Sequence, residues 1–138
     1  MDEEAARAAF AAALQSHRPE FGRFFLARLF GLEVAYEDDS CIVTAPVQDY
    51  MFNPQGSLHG GVIALILDIA MGHLLHHTVG AGITLEMKTQ FAKPARSGRV
   101  RAVGRFLRRG RSISYLEARM TDEAGDLVAF ATSTWRKL

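Results

Sequence analysis

Residues 61–78, GVIALILDIAMGHLLHHT, are the one long apolar stretch of the chain, and their reading decides its fold. The stretch is apolar on most sides until its last turn, which predicts a helix surrounded by protein rather than resting on its surface. What surrounds it is legible downstream. Ile83, Leu85, Met87, Thr89 and Phe91 alternate with Thr84, Glu86, Lys88 and Gln90, the period of two that marks a half-covered strand. Residues 98–108, 111–121 and 127–136 are further strand candidates, separated by Arg109-Gly110 and by residues 122–125. Links this short favour an antiparallel meander, because parallel pairing needs a long crossover. Upstream, residues 32–36 and 41–47 read as a hairpin about Glu37-Asp38-Asp39-Ser40, and residues 48–60 as a loop. The expected fold class is α+β: one buried helix against an antiparallel sheet of five or six strands.

Residues 3–16 are strong helix formers behind a plausible Asp2 cap, with Phe10 and Leu14 as the expected anchors. A second helix is predicted from Pro19 to Leu29, ended by Gly31, with Phe21, Phe24, Phe25 and Leu29 as its apolar stripe. At 138 residues the chain is expected to be one domain, 1–138, with 1–18 as a peripheral N-terminal helix.

Hydrophobic residues make up 49% and charged residues 22%, the balance of a folded globule, and the net charge of +1 advertises no polyanionic partner. One cysteine, Cys41, excludes an internal disulfide framework. The Met-Asp-Glu-Glu start has the wrong charge for a secretory segment, and no 18-residue apolar run is read as crossing a bilayer. The expected setting is cytoplasmic, with neither membrane nor nucleic acid as partner. Charge is nonetheless uneven: from Lys88 to Arg111 there are nine basic residues and no acidic one, an anion-facing surface or a solubilising edge. Aromatic residues do not interleave with that run as an RNA stacking platform requires.

Asp68 breaks the apolar helix pattern. An unpaired carboxylate there costs several kcal/mol or is driven to bind a proton, and it lies too far from the helix start to be a cap. Gly61, Ala64, Asp68, Gly72 and Leu75 share a mostly narrow face that lets another backbone or a ligand approach. Asp68 is therefore either a functional carboxylate or a core aspartate bonded to a neighbouring strand. At the loop-to-helix junction, His59-Gly60-Gly61 leaves N–H groups pointing along the helix axis, suited to a partial negative charge. Asn53 could add a donor; equally, the two glycines could simply resolve a tight turn. Asp68 lies eight residues beyond Gly60, about 12 Å along a helix. Both can act on one carbonyl only if a two-fold dimer brings Gly60 of one chain to Asp68 of the other. His73, His76 and His77 lack a carboxylate at metalloprotease spacing and read as helix-end histidines, so no metal site is expected.

The whole string Asn53-x5-His59-Gly60-Gly61-x6-Asp68, followed by GITLEMKTQFAKPA and Arg-Arg-Gly-Arg, resembles the hotdog-fold acyl-CoA thioesterases of the phenylacetyl-CoA and 4-hydroxybenzoyl-CoA type. The resemblance covers roughly residues 20–136. It implies a curved antiparallel sheet wrapped round a long central helix, and homodimers joined edge to edge, commonly as a dimer of dimers. By the same resemblance Asp68 is the general base or nucleophile and the Gly60 amide polarises the thioester carbonyl. Asn53 and His59 shape the site, and Thr84 matches a strand position facing the base, although simple alternation puts it on the face of Glu86 and Lys88. Gly61, Lys93, Arg96, Arg108, Arg109 and Arg111 are the candidate contacts for substrate, the basic ones for coenzyme A phosphates. Coenzyme A is part of the substrate, and no separate cofactor is implied.

The residues suit that chemistry, since thioester hydrolysis needs an attacking oxygen, oxyanion stabilisation and little help for a thiolate leaving group. No GxSxG nucleophile elbow occurs. The competing readings are a non-catalytic acyl-CoA-binding regulator and an enoyl-CoA hydratase or dehydratase. The latter's family pattern places its aspartate before the histidine in a short loop, whereas His59 here precedes a helical Asp68.

Overall fold

The computed structural model describes residues 1–138. In chain order the elements are α1 (Glu3–Ser16), α2 (Phe25–Leu29), β1 (Glu33–Glu37), β2 (Ser40–Pro46), α3 (Gly60–Thr78), β3 (Gly82–Phe91), β4 (Arg99–Arg108), β5 (Ile113–Thr121) and β6 (Leu127–Lys137). The strands form one antiparallel sheet in the order β1-β2-β4-β5-β6-β3. The sheet curves around α3, which packs against β2, β3, β4, β5 and β6. This is the hotdog arrangement.

The helix lies close because the sheet is thin where it crosses. A Cβ at Gly104 of β4 would stand 2.5 Å from the Ala70 carbonyl oxygen, so only glycine admits the helix backbone there. Around that approach, Ile66, Leu67, Ala70, Met71 and Leu74 of α3 are fully buried against Val43, Val100, Leu116, Met120 and Val128 of four strands or their ends. By length and hydropathy α3 alone could cross a membrane, contrary to the sequence expectation that no such run exists. Nine of its 19 residues are instead buried inside the sheet, including Ile63, Ile69 and His73.

Two N-terminal details depart from expectation. α1 is capped by the Asp2 carboxylate as predicted, but its buried residue is Ala13, while Phe10 and Leu14 are about half exposed. Phe10 does meet Phe25 edge to face, with ring centroids 5.5 Å apart. The second helix starts at Phe25 rather than Pro19. Gly22 takes φ +76°, outside helical space, and Arg18 N–H closes a loop onto the Arg23 carbonyl at 2.8 Å. Residues 17–24 therefore form a non-helical strap between α1 and α2.

Candidate functional site

Asp68 stands mid-way along α3 on the wall of a cavity of about 610 Å³. Leu65, Ile69, Gly72 and His73 of the same helix line it, with Phe21 and Phe24 from the strap region, Ile83 and Thr84 from β3, and Trp135 from β6. Gly72 is small for a reason of volume: an added Cβ would meet the Trp135 indole at 2.6 Å. The single polar bond made to the Asp68 carboxylate comes from Thr84, whose Oγ1 donates to Oδ1 at 2.9 Å. Burial pushes the Asp68 carboxyl above its ordinary value, and the Thr84 hydroxyl, which favours the ionised form, pulls it part of the way back.

Thr84 reaches Asp68 because alternation along β3 is interrupted. The pairing with β6 runs Thr84 to Trp135 and then Glu86 to Thr134, leaving Leu85 as an extra residue. One inserted residue inverts which side chains face the helix, so Thr84, though still exposed, is turned to the Asp68 side together with Met87, and Leu85 is turned out and half exposed. The sequence expectation that Thr84 shares a face with Glu86 and Lys88 is corrected by this bulge.

The helix-start residues occupy a different place. His59 caps α3: its Nδ1 accepts the Gly61 N–H at 2.8 Å, and its own N–H donates to the Met51 carbonyl at 2.9 Å. The Gly61 N–H is thus occupied, whereas the Gly60 N–H has no partner within the chain. Asn53 is committed to its own loop. Its Oδ1 accepts from the Gln55 and Ser57 amides at 3.0 and 3.3 Å, and its Nδ2 donates to Ser57 Oγ at 3.1 Å. Asn53, Gly60, Ile63, Phe91 and Lys93 border a second hollow of about 270 Å³. Within one chain the candidate residues therefore fall into two groups: Asp68 with Thr84, and Gly60 with Asn53, His59 and Gly61.

The basic candidates do not form one patch. Lys93 lies near the start of α3 and is held by Asp122 and Asp126 at 2.7 and 2.6 Å, which raises its pKa. Arg109 is near the other end of α3, where Nη2 donates to the Thr78 carbonyl at 2.7 Å and the guanidinium lies 5.7 Å from the Phe106 ring centre. Arg96, Arg108 and Arg111 are exposed.

The three histidines turn to three neighbours: His73 accepts the Gly22 N–H at 2.8 Å, His76 stacks on Phe21, and His77 stacks on Tyr36. No group of three or more His, Cys, Asp or Glu side chains is gathered to hold a metal. Sequence reasoning missed the cavity-forming parts played by His73 and Trp135. Nothing local marks either one, since each acts on residues 50 or more positions away.

A half-buried carboxylate beside a largely apolar cavity, on a helix wrapped by this sheet, is what the fold brings together within one chain. The comparisons give the class. Residues 55–129 match the family model described as the thioesterase superfamily, and the chain belongs to that family. A protein of Saccharolobus solfataricus that carries an esterase name is 31% identical over 102 residues, 72% of each chain. The structure of the BH2602 protein from Bacillus halodurans, solved with CoA, superposes with a TM-score of 0.89 at 25% identity, covering 99% of this chain and 93% of the other. The PaaI protein of Escherichia coli, from a phenylacetic acid degradation operon, shares the fold with a TM-score of 0.81 at 17% identity over 94% of this chain and 96% of its own.

Proposed function

We propose that the protein hydrolyses acyl-CoA thioesters to the free acid and CoA, in a site that two copies build together. The observation that carries the reading is Asp68, a carboxylate made more basic by burial, steadied by one hydroxyl and open to a cavity large enough for an acyl group.

The second copy follows from β3. It is an edge strand, with Ile83, Leu85 and Phe91 exposed along it, and its free side offers unpaired backbone groups. Thr84 near one end lines the Asp68 cavity, and Phe91 at the other lies 3.4 Å from the position of a Gly60 Cβ. Two copies of β3 paired antiparallel about Met87 and Lys88 set Thr84 of one chain opposite Phe91 of the other. That pairing places the Asp68 hollow of each chain beside the Gly60 hollow of its partner.

In such a site the thioester carbonyl points at the Gly60 N–H, and the acyl chain enters the cavity between α3, the strap and Trp135. A water oxygen attacks the carbonyl carbon while Asp68 takes its proton, or the carboxylate attacks directly and water releases the acyl group afterwards. The Gly60 N–H and the α3 dipole stabilise the oxyanion. Collapse breaks the carbon–sulfur bond and expels the CoA thiolate, which takes up a proton. Arg96, Arg108 and Arg111 carry free charge for the nucleotide phosphates; the CoA held by the Bacillus halodurans relative supports a ligand of this kind.

The test is a panel of acyl-CoA thioesters read by release of free thiol. The parent should turn over at least one of them with saturation, and Asp68→Asn should lower its kcat by at least about a hundredfold. A folded Asp68→Asn protein within threefold of the parent on its best substrate contradicts the mechanism.

A further inference from the structure

The strap of residues 17–24 supplies Pro19, Glu20 and Phe21, with Phe24 at its end, to the wall of the Asp68 cavity. It is tied to itself by the bonds from Arg18 N–H to the Arg23 carbonyl at 2.8 Å and from Arg23 N–H to the Glu20 carbonyl at 3.0 Å. One hydrogen bond alone joins it to α3 or the sheet: the Gly22 N–H donates to His73 Nε2 at 2.8 Å. Ring contacts complete the attachment. Phe21 stacks on His76 with centroids 3.7 Å apart and meets His73 edge to face at 4.8 Å.

Nε2 of His73 is engaged by the Gly22 N–H. With Nε2 so engaged the ring holds the strap, and it lines the same cavity as Asp68. Its bond to Gly22 needs a neutral ring, because an imidazolium offers two donors and no acceptor. We propose that His73 is a positioning residue for acyl selectivity: by accepting the Gly22 N–H it fixes the strap as the wall against which the acyl group is fitted. This rests on the thioesterase reading and adds to it the element that chooses the substrate.

The surroundings keep the ring neutral. Burial first, and then neighbouring His76, push His73 down to about 4. The other titratable groups at the cavity are Asp68 on the same helix and Glu20 on the strap, the latter 4.0 Å from Arg23. β3 and β6 bring only Gly82, Ile83, Thr84 and Trp135 to it, none of which titrates in this range. The strap is therefore held at neutral pH and released as pH falls toward 4.

The experiment measures the ratio of kcat/KM for the parent's best acyl-CoA to that for acetyl-CoA, in the parent, His73→Phe and His73→Gln, from neutral pH down to about pH 4. Taking a ratio cancels the titration of Asp68, which acts on both substrates. His73→Phe keeps a ring and loses the acceptor, and its ratio should fall at least about tenfold at neutral pH, within the range one pocket wall contributes to selectivity. His73→Gln retains an acceptor; its ratio should stay within about threefold of the parent and should not change with pH, whereas the parent's own ratio falls on acidification. A folded His73→Phe protein with the parent's ratio overturns the proposal. If His73→Phe fails to fold, Phe21→Ala replaces it: that ring is half exposed, its loss opens the same wall, and an unchanged ratio overturns the proposal equally. A parent inactive on every acyl-CoA overturns the thioesterase reading and this inference with it; an active parent with an unchanged ratio in the variants overturns only the inference.

Discussion

The Thr84 hydroxyl donates to Asp68 Oδ1 across 2.9 Å, and it does so from a strand whose side-chain alternation has been inverted one residue further on, at Leu85. A bulge on an edge strand thus aims a side chain at the carboxylate of the central helix. The pair holds two opposed influences. Burial favours protonated Asp68, while the hydroxyl favours the carboxylate that the proposed chemistry uses.

Thr84→Val keeps the shape of the side chain and removes the donor. The Asp68 pKa then rises further, so the acid limb of the pH–rate profile should move to higher pH, and kcat/KM on that limb should fall by roughly threefold to tenfold, about the worth of one ordinary solvent-exposed hydrogen bond. A profile superimposable on the parent's would show that the hydroxyl does not act on Asp68.

Asp68 costs the fold stability when ionised. Its folded-state pKa lies above the unfolded value of about 3.8, so the folded state binds more protons through that window. The group's stabilising contribution is present below that value and is lost as pH rises through the raised one. Asp68→Asn should therefore raise Tm by a few degrees at neutral pH, with the gain vanishing in acid below the unfolded carboxyl pKa. Paired thermal melts across pH measure this, and a neutral-pH Tm below the parent's would assign Asp68 a structural role.

Gly72→Ala drives a methyl group against the Trp135 ring, 2.6 Å from its nearest atom. Overpacking of this kind costs about 1–3 kcal/mol, and the displaced indole narrows the Asp68 cavity. Trp135 is the one tryptophan of the chain, so its fluorescence reports the displacement directly. The expected outcome is a lower Tm, a shifted emission maximum and a loss of activity that grows with acyl length.

Arg108 and Arg111 are exposed, whereas Arg109 is tied to the end of α3. Arg108→Gln with Arg111→Gln should raise KM for an acyl-CoA by roughly fivefold or more at low salt, leave KM for the matching acyl-pantetheine near the parent's, and lose its effect as salt is added. Equal changes for both substrates would remove these arginines from phosphate binding.

The core of the fold is legible in the chain because it is written in local periods. The apolar helix shows its boundaries to within one residue, and Glu37-Asp38-Asp39-Ser40 marks the first hairpin, which turns at Asp38 with φ 47°. The oddity of Asp68 and the helix-start glycines are equally local, and so they too stand out. Thr84 could not be placed by alternation, because the extra residue at Leu85 is defined only by pairing with β6, some 50 positions on. Lys93 looks like a free cation until Asp122 and Asp126 fold back onto it from 29 and 33 residues away. Phe21, Phe24 and Phe25 have helical spacing, which predicts helix from Pro19 onward. The structure uses the first two on a cavity wall instead, once Gly22 has turned the chain out of helical space.

The central claim is that Gly60 of one subunit and Asp68 of the other act on the same thioester, and subunit mixing tests it most directly. Gly60→Pro removes the unpartnered N–H at the first helical position, where proline is tolerated and where His59, at ψ 136°, already has the extended backbone that proline requires. Gly60→Ala retains the N–H and serves as the control for the added Cβ. Gly60→Pro and Asp68→Asn homo-oligomers should each be nearly inactive. A mixed dimer holds one site with both defects and one with neither, so random co-assembly should restore about a quarter of parental activity. Mixed dimers, verified as formed, that remain as inactive as their parents would contradict the shared site.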